Sequence, residues 1–222
     1  MKRRHTFTAL LMLLTVLAVS ALTGCGSKAP TAQDAQNYAK AVLDLMCTGD
    51  YDHSIKLADV EEGKELEMRD QMIDDTIASL AGDTGLNEEV QAQFKEVFVE
   101  AFSKCKYTVG SATPDEQGEF DVSISIEPLK LFAGMEEKLD AQISSAFEDV
   151  DDTSSLSNEE YNNRVFSLMA KLMKENLQTP SYDAPVEVVV HYGVLDEESK
   201  SYGISEEDGA RLGQVLFSTS LD

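Results

Sequence analysis

The densest grouping of side chains able to bind an ion is the acidic run Asp149-Val150-Asp151-Asp152-Thr153-Ser154-Ser155-Leu156-Ser157-Asn158-Glu159-Glu160. Counted from Asp149, oxygen-bearing side chains fall at positions 1, 3, 5 and 9, Leu156 at 8 and Glu160 at 12. This is the spacing of a calcium loop, where carboxylates, one backbone carbonyl at position 7 and a last bidentate Glu converge on the ion. The candidate ligands are therefore Asp149, Asp151, Thr153, Ser155 and Glu160. Position 6, where such a loop turns sharply on glycine, is Ser154, and Thr153 is a weak neutral donor. The same residues have a second use. Ser157-x-x-Glu160 is a capping box, and acids gather at helix N-termini because the dipole favours them there. Glycine reaches the required turn at far lower cost than serine, so the cap is the expected outcome.

Proton chemistry has fewer candidates. His53 stands beside Asp52, and His191 shares an alternate-residue face with Glu187. A working acid or base needs a histidine with a positioned partner, and adjacency in sequence does not supply the position. Surface histidines are the expectation. Cys47 and Cys105 could form a disulfide outside the cytoplasm, or Cys105 could serve as a small apolar residue at the end of a helical stripe. The chain contains no C-x-x-C, G-x-S-x-G, H-E-x-x-H or phosphate-cradling glycine loop. Thioredoxin, hydrolase, zincin and nucleotide readings that depend on those motifs have no support.

The third cysteine has a different setting. Lys2, Arg3 and Arg4 precede an apolar run, Leu10 to Leu22, broken only by Thr15 and Ser20, and the run ends in Leu22-Thr23-Gly24-Cys25. Basic start, short apolar segment and small residues before a cleavage point are the order of a secretory signal. The run is shorter than the about 20 residues a membrane-spanning helix needs. Leu-Thr-Gly-Cys resembles the lipobox of bacterial lipoproteins. That resemblance implies removal of residues 1–24, diacylglycerol on the Cys25 thiol, and a protein anchored by lipid to the cell membrane, facing away from the cytoplasm. Several acyl chains hold a membrane where one binds it only marginally. Residues 25–31 form a short tether that extends about 20 Å at most, so the domain stays close to its membrane.

Charge narrows the partners. The 222-residue chain has 18 Lys and Arg against 41 Asp and Glu. Loss of the signal takes three of the basic residues and leaves a formal charge of −26. Such a surface repels nucleic acid and anionic headgroups, which excludes nucleic-acid binding and a polybasic membrane role. It leaves a cation, a small ligand or an envelope protein as partner.

The elements that must carry these residues follow from periodicity. Ala35, Tyr38, Ala39, Val42, Leu43 and Met46 repeat at three and four, a helical stripe that Thr48-Gly49-Asp50 ends. Asp50 or Asp52 can cap a short second helix through Leu57. Leu66, Ile73, Ile77 and Leu80 mark the next, and Val90, Phe94, Val97, Phe98, Ala101 and Phe102 the cleanest, behind Asn87. A short strand from Tyr107 precedes Glu119–Glu127, where Phe120, Val122, Ile124 and Ile126 alternate with polar residues, the pattern of a half-buried antiparallel strand. Helices over about 131–148 and 158–176 intervene. Val186, Val188, Val190, Tyr192 and Val194 then line another strand. A turn at 196–198, a strand over 201–204 and a capped helix from Ser205 complete the chain. The expectation is one α+β domain over 32–222: N-terminal helices on a curved antiparallel meander, with a helical hairpin at about 130–179 inserted between two β-hairpins. Phe94, Phe98, Phe102, Phe120, Val122, Ile124, Val188 and Val190 are its expected core.

With its lipobox, its opening helix running into Thr48-Gly49-Asp50-Tyr51-Asp52, its two hairpins and Tyr202-Gly203-Ile204, the chain resembles uncharacterised Firmicute surface lipoproteins with a nuclear-transport-factor-like or cystatin-like cone. That resemblance implies a non-enzymatic binding or interaction module. A calcium-binding surface module and an enzyme working in the mouth of the cone are the alternatives, since one fold hosts many functions.

Overall fold

A computed structural model describes residues 22–25, 29–55, 57, 63–196 and 201–220. The signal segment over 1–21, residues 26–28 of the tether and residues 197–200 lie outside the described residues. The elements are β1 (Leu22–Cys25), α1 (Ala32–Thr48), α2 (Glu65–Thr84), α3 (Glu88–Ser103), β2 (Lys106–Pro114), β3 (Phe120–Glu127), α4 (Met135–Gln142), α5 (Asn158–Gln178), β4 (Val186–Asp196), β5 (Ser201–Ile204) and α6 (Glu206–Val215). The architecture is α+β. Strands β2, β3, β4 and β5 form an open antiparallel meander, and β1 pairs along the outer side of β5.

Helix α1 starts where Thr31 can cap it. Thr31 Oγ1 accepts the Asp34 amide at 3.2 Å, and Asp34 returns the bond to the Thr31 amide at 2.8 Å. It ends at Gly49, whose φ of 71° is the left-handed conformation glycine adopts cheaply. Its apolar stripe packs onto β2, β3 and β5. Tyr38 meets Tyr192 of β4 at a centroid distance of 5.1 Å, and Gln36 Nε2 donates to Gly110 O at 2.6 Å, beside the register shift between Val109 and Ala112. Helix α3 lies behind α1 rather than on the sheet, with α2 and α5 beside it. Phe94 of α3 meets Phe166 of α5 edge-on at 5.9 Å.

All eight expected core residues lie in one buried cluster. The β3 alternation is real: Phe120, Val122, Ile124 and Ile126 are buried, opposite Tyr192, Val190, Val188 and Val186 of β4. At the ends of β4 the stripe emerges, Val186 being 42% and Val194 40% exposed. The expected helical hairpin is present between β3 and β4. It is not an appendage, because α5 supplies Phe166, Met169, Leu172 and Met173 to the common core. Asn176 of α5 also donates to the Leu131 and Ala133 carbonyls, each at 3.0 Å. The first helix of the pair is shorter than its periodicity suggests. It begins after Gly134, at φ 62°, and tightens to a 3₁₀ turn over Ile143–Phe147.

One local expectation changes. The helix expected from Asp50 or Asp52 toward Leu57 is a turn at 52–55, closed by Ile55 N–H on the Asp52 carbonyl at 2.9 Å. The Asp52 side chain accepts the Ser54 amide at 2.9 Å, a local bond that competes with helix growth. The helix marked by Leu66, Ile73, Ile77 and Leu80 is α2; Ile73 and Ile77 are buried, Leu66 is 57% exposed, and the Leu80 side chain lies outside the described residues. Among the described residues no helix is long and apolar enough to cross a membrane.

Candidate functional site

The polar face of the sheet carries the candidate site, and strand register builds it. Antiparallel pairing of β3 with β4 sets Asp121 directly opposite His191. Both side chains point away from the buried Val122/Val190 face, because neighbours along a strand alternate. His191 Nδ1 lies 3.1 Å from Asp121 Oδ1, and Nε2 lies 2.8 Å from Glu119 Oε2. Glu119 precedes β3, and its other oxygen accepts the Val194 amide at 2.7 Å, which fixes the carboxylate. Asp115 comes from the β2–β3 turn, where its Oδ1 accepts the Gln117 amide at 2.8 Å and the Glu119 amide at 2.9 Å. Asp115, Glu119 and His191 each offer one ligand atom within 4.8 Å of the others, and all three residues are half-buried. They are the one such trio of His, Cys, Asp or Glu among the described residues.

Backbone elements hold this group from behind. Ser205 caps α6 by accepting the Asp208 amide at 3.1 Å, and the Asp208 carboxylate accepts the His191 backbone N–H at 2.9 Å. Arg211 donates to the Val189 carbonyl and to Asp208. Helix α6 thereby covers the β4 edge next to β5, satisfying groups that a bare edge would offer to another chain. Gly193 leaves room on the other side. A Cβ there would stand 2.7 Å from Glu119 Oε2 and 2.7 Å from His191 Nε2, closer than atoms tolerate. Burial pulls the His191 pKa down, but hydrogen bonds to Glu119 and then Asp121, with their charges, outweigh it and hold it above the ordinary value. The group can therefore act as a charged triad or as a ligand set.

The acidic run between α4 and α5 is arranged differently. Glu160 Oε2 accepts the Ser157 amide at 2.9 Å and its hydroxyl at 2.8 Å, while Ser157 Oγ accepts the Glu160 amide at 3.1 Å. This is the capping box. Asp149 takes both Arg164 nitrogens, at 2.6 and 2.9 Å. Ser155 Oγ donates to the Asp152 carbonyl at 2.7 Å, and Asp152 caps the short turn by accepting the Ser154 amide at 2.9 Å. Asp151 and Thr153 are exposed. To converge on calcium, Glu160 would have to leave Ser157 and Asp149 would have to leave Arg164.

His53 lies 3.3 Å from Glu65 and 3.8 Å from Asp50, with its ring 5.1 Å from that of Tyr51. Cys47 and Cys105 are free thiols in contact with each other. The Cys47 pKa is raised, first by its hydrogen bond with Cys105 and then by burial. Glu187, the sequence partner of His191, is taken by Ser123 Oγ at 3.0 Å. The residues that actually flank His191, namely Asp115, Glu119 and Asp121, lie about 70 positions away in the chain. Only the pairing of β3 with β4 reveals them. The available signal was the polar half of the β3 alternation, continued backward to Glu119 and Asp115.

No protein-family model matches this chain, and no curated protein matches it. Its fold is similar to the crystal structure of ycdA from Bacillus subtilis, provisionally assigned as a lipoprotein, with a TM-score of 0.56 at 14% identity over 85% of this chain. The match covers 58% of the ycdA chain.

Proposed function

We propose that this chain is the precursor of a lipid-anchored envelope protein whose α+β domain binds a ligand or partner rather than catalysing a reaction. The observation that carries the reading is the sequence of basic start, apolar run and Leu22-Thr23-Gly24-Cys25. Similarity in fold to a protein assigned as a lipoprotein supports it. Cleavage before Cys25 removes three of the four β1 residues and leaves the mature sheet as the β2–β5 meander, with β5 at its edge. The binding role is supported by His191, whose two ring nitrogens both face carboxylates, a geometry that holds charge in place.

Membrane fractionation of cells producing the chain and its Cys25→Ala variant tests the reading. The parent is expected in the membrane fraction with a mature N-terminus beginning at lipid-modified Cys25. The variant is expected in the soluble fraction or unprocessed. A mature parent N-terminus without lipid, read by mass spectrometry, overturns the anchor.

A further inference from the structure

We infer that Asp115, Glu119 and His191 form a binding site for a divalent transition-metal cation of the zinc class, on the outer face of the sheet. The inference goes beyond the anchor and does not depend on Cys25.

The donor set comes first. One imidazole nitrogen with two carboxylates is a mixed nitrogen–oxygen set, which zinc accepts, whereas calcium and magnesium take oxygen almost throughout. The three ligand atoms already lie within 4.8 Å of one another. Ligands about 2.0–2.1 Å from a tetrahedral zinc stand about 3.3 Å apart. The 2.8 Å contact between His191 Nε2 and Glu119 Oε2 then needs to open by about half an ångström.

The histidine's orientation is the second observation. A metal-binding imidazole characteristically donates its other N–H to a carboxylate, which fixes ring and tautomer. Asp121 stands on that side, with Oδ1 3.1 Å from Nδ1, while Nε2 faces Glu119. Asp121 is thus a positioning residue, and the strand pairing that places it opposite His191 also sets the direction of Nε2.

The third observation is the space. Glycine inside a strand weakens it and often marks a place another group approaches closely. Gly193 has no positive φ to explain it, and the point where its Cβ would lie is 2.7 Å from both donor atoms. The His191 side chain is 43% exposed, so water can complete the coordination.

Calorimetric titration of the purified full chain with zinc chloride, and separately with calcium chloride and magnesium chloride, tests the site. One zinc is expected per chain, with weaker heat from the other two. His191→Ala should lower zinc affinity by more than the about 10–100-fold that loss of an outer-shell partner costs, and Asp121→Asn by about that 10–100-fold. Gly193→Ala should also weaken zinc. Melting curves recorded with chelator confirm that each variant is folded. In nitrogen NMR of the His191 ring, zinc should shift Nε2 while Nδ1 keeps its proton, a signature a purely structural Asp121 would not affect. Absence of zinc heat in the parent overturns the site and leaves a charged histidine between carboxylates. Undiminished zinc binding in folded His191→Ala overturns it as well, placing the metal elsewhere.

Discussion

Two acidic regions of this protein use the same residue types to opposite ends. Between α4 and α5, nine of the twelve residues from Asp149 to Glu160 are acids or hydroxyl residues, yet their oxygens point at amides, at Arg164 and at water. Around His191, Asp115, Glu119 and Asp121 come from a turn and a strand that sit some 70 residues upstream, yet they surround one ring. Contiguity supplies carboxylates to the nearest orphan donors, and at a helix N-terminus four amides are waiting. Convergence requires that local donors be already satisfied. On the sheet the ladder occupies most backbone donors; Asp115 and Glu119 still take the Gln117, Glu119 and Val194 amides, but Glu119 keeps its second oxygen for the ring and Asp121 faces the ring across the ladder.

The largest expected effect breaks both regions together, since both rest on one core. Phe98 is buried and stacks on Phe94 at 6.0 Å, and Phe94 in turn meets Phe166 of α5. Phe98→Ala should cost about 3–5 kcal/mol, the usual penalty for emptying an aromatic core site. Urea denaturation reads it as a lower midpoint with unchanged slope. An unchanged midpoint would show that the α3 stripe is not part of the common core.

Next in size is the cysteine pair, assembled at a distance as the His191 group is. Cys47 on α1 is hydrogen-bonded with Cys105 just past α3, and the proposed location is oxidising. The exported protein is expected to carry them as a disulfide, worth about 2–4 kcal/mol through its constraint on the unfolded chain. Mass measurement before and after reduction and alkylation detects the bridge, and a drop in denaturant midpoint on reduction measures it. Complete alkylation without prior reduction would show two free thiols.

What was legible in the sequence follows the same division. The α3 stripe, the β3 alternation, the Ser157 box and the Ser205 cap are signals carried within a few residues, and the structure bears each of them out. The turn at 52–55 was misread because Asp52 spends its side chain on Ser54 two residues on, a bond that stops a helix as readily as a cap starts one. Glu187 was the wrong partner for His191 because it shares a face two positions of the ladder away, where Ser123 is its cross-strand neighbour's companion and takes its carboxylate. Register decides such pairs, and register is not written in one strand.

A smaller effect sharpens the contrast from the acidic side. Ser157→Ala removes the acceptor for the Glu160 amide and should cost about 0.5–2 kcal/mol. Hydrogen exchange should rise in the first turn of α5 and stay unchanged at β3 and β4. Equal loss of protection in the sheet would mean that the two regions are coupled, which their separate hydrogen bonds give no reason to expect.

The smallest expected effect is the acid response of that same turn. Hydrogen bonds from the Ser157 amide and then its hydroxyl hold the Glu160 carboxyl below its ordinary pKa, and Arg164 does the same for Asp149. A carboxyl whose pKa is lower folded than unfolded contributes stability above its unfolded value, about 4.3 for Glu and 3.9 for Asp. That contribution is lost as pH falls through the lower, folded value. The acid limb of a stability–pH curve should therefore steepen below about pH 4, and Glu160→Gln should flatten it while slightly lowering the plateau near neutrality, where the carboxylate makes its full contribution. Both groups are at the surface, so raised salt should shrink the Asp149–Arg164 part while sparing the amide bond to Glu160. If Glu160→Gln instead left the acid limb unchanged and altered stability at neutral pH only on addition of calcium, the carboxylate would be serving an ion rather than the cap. The difference between the two acidic regions would then lie in which cation each one holds.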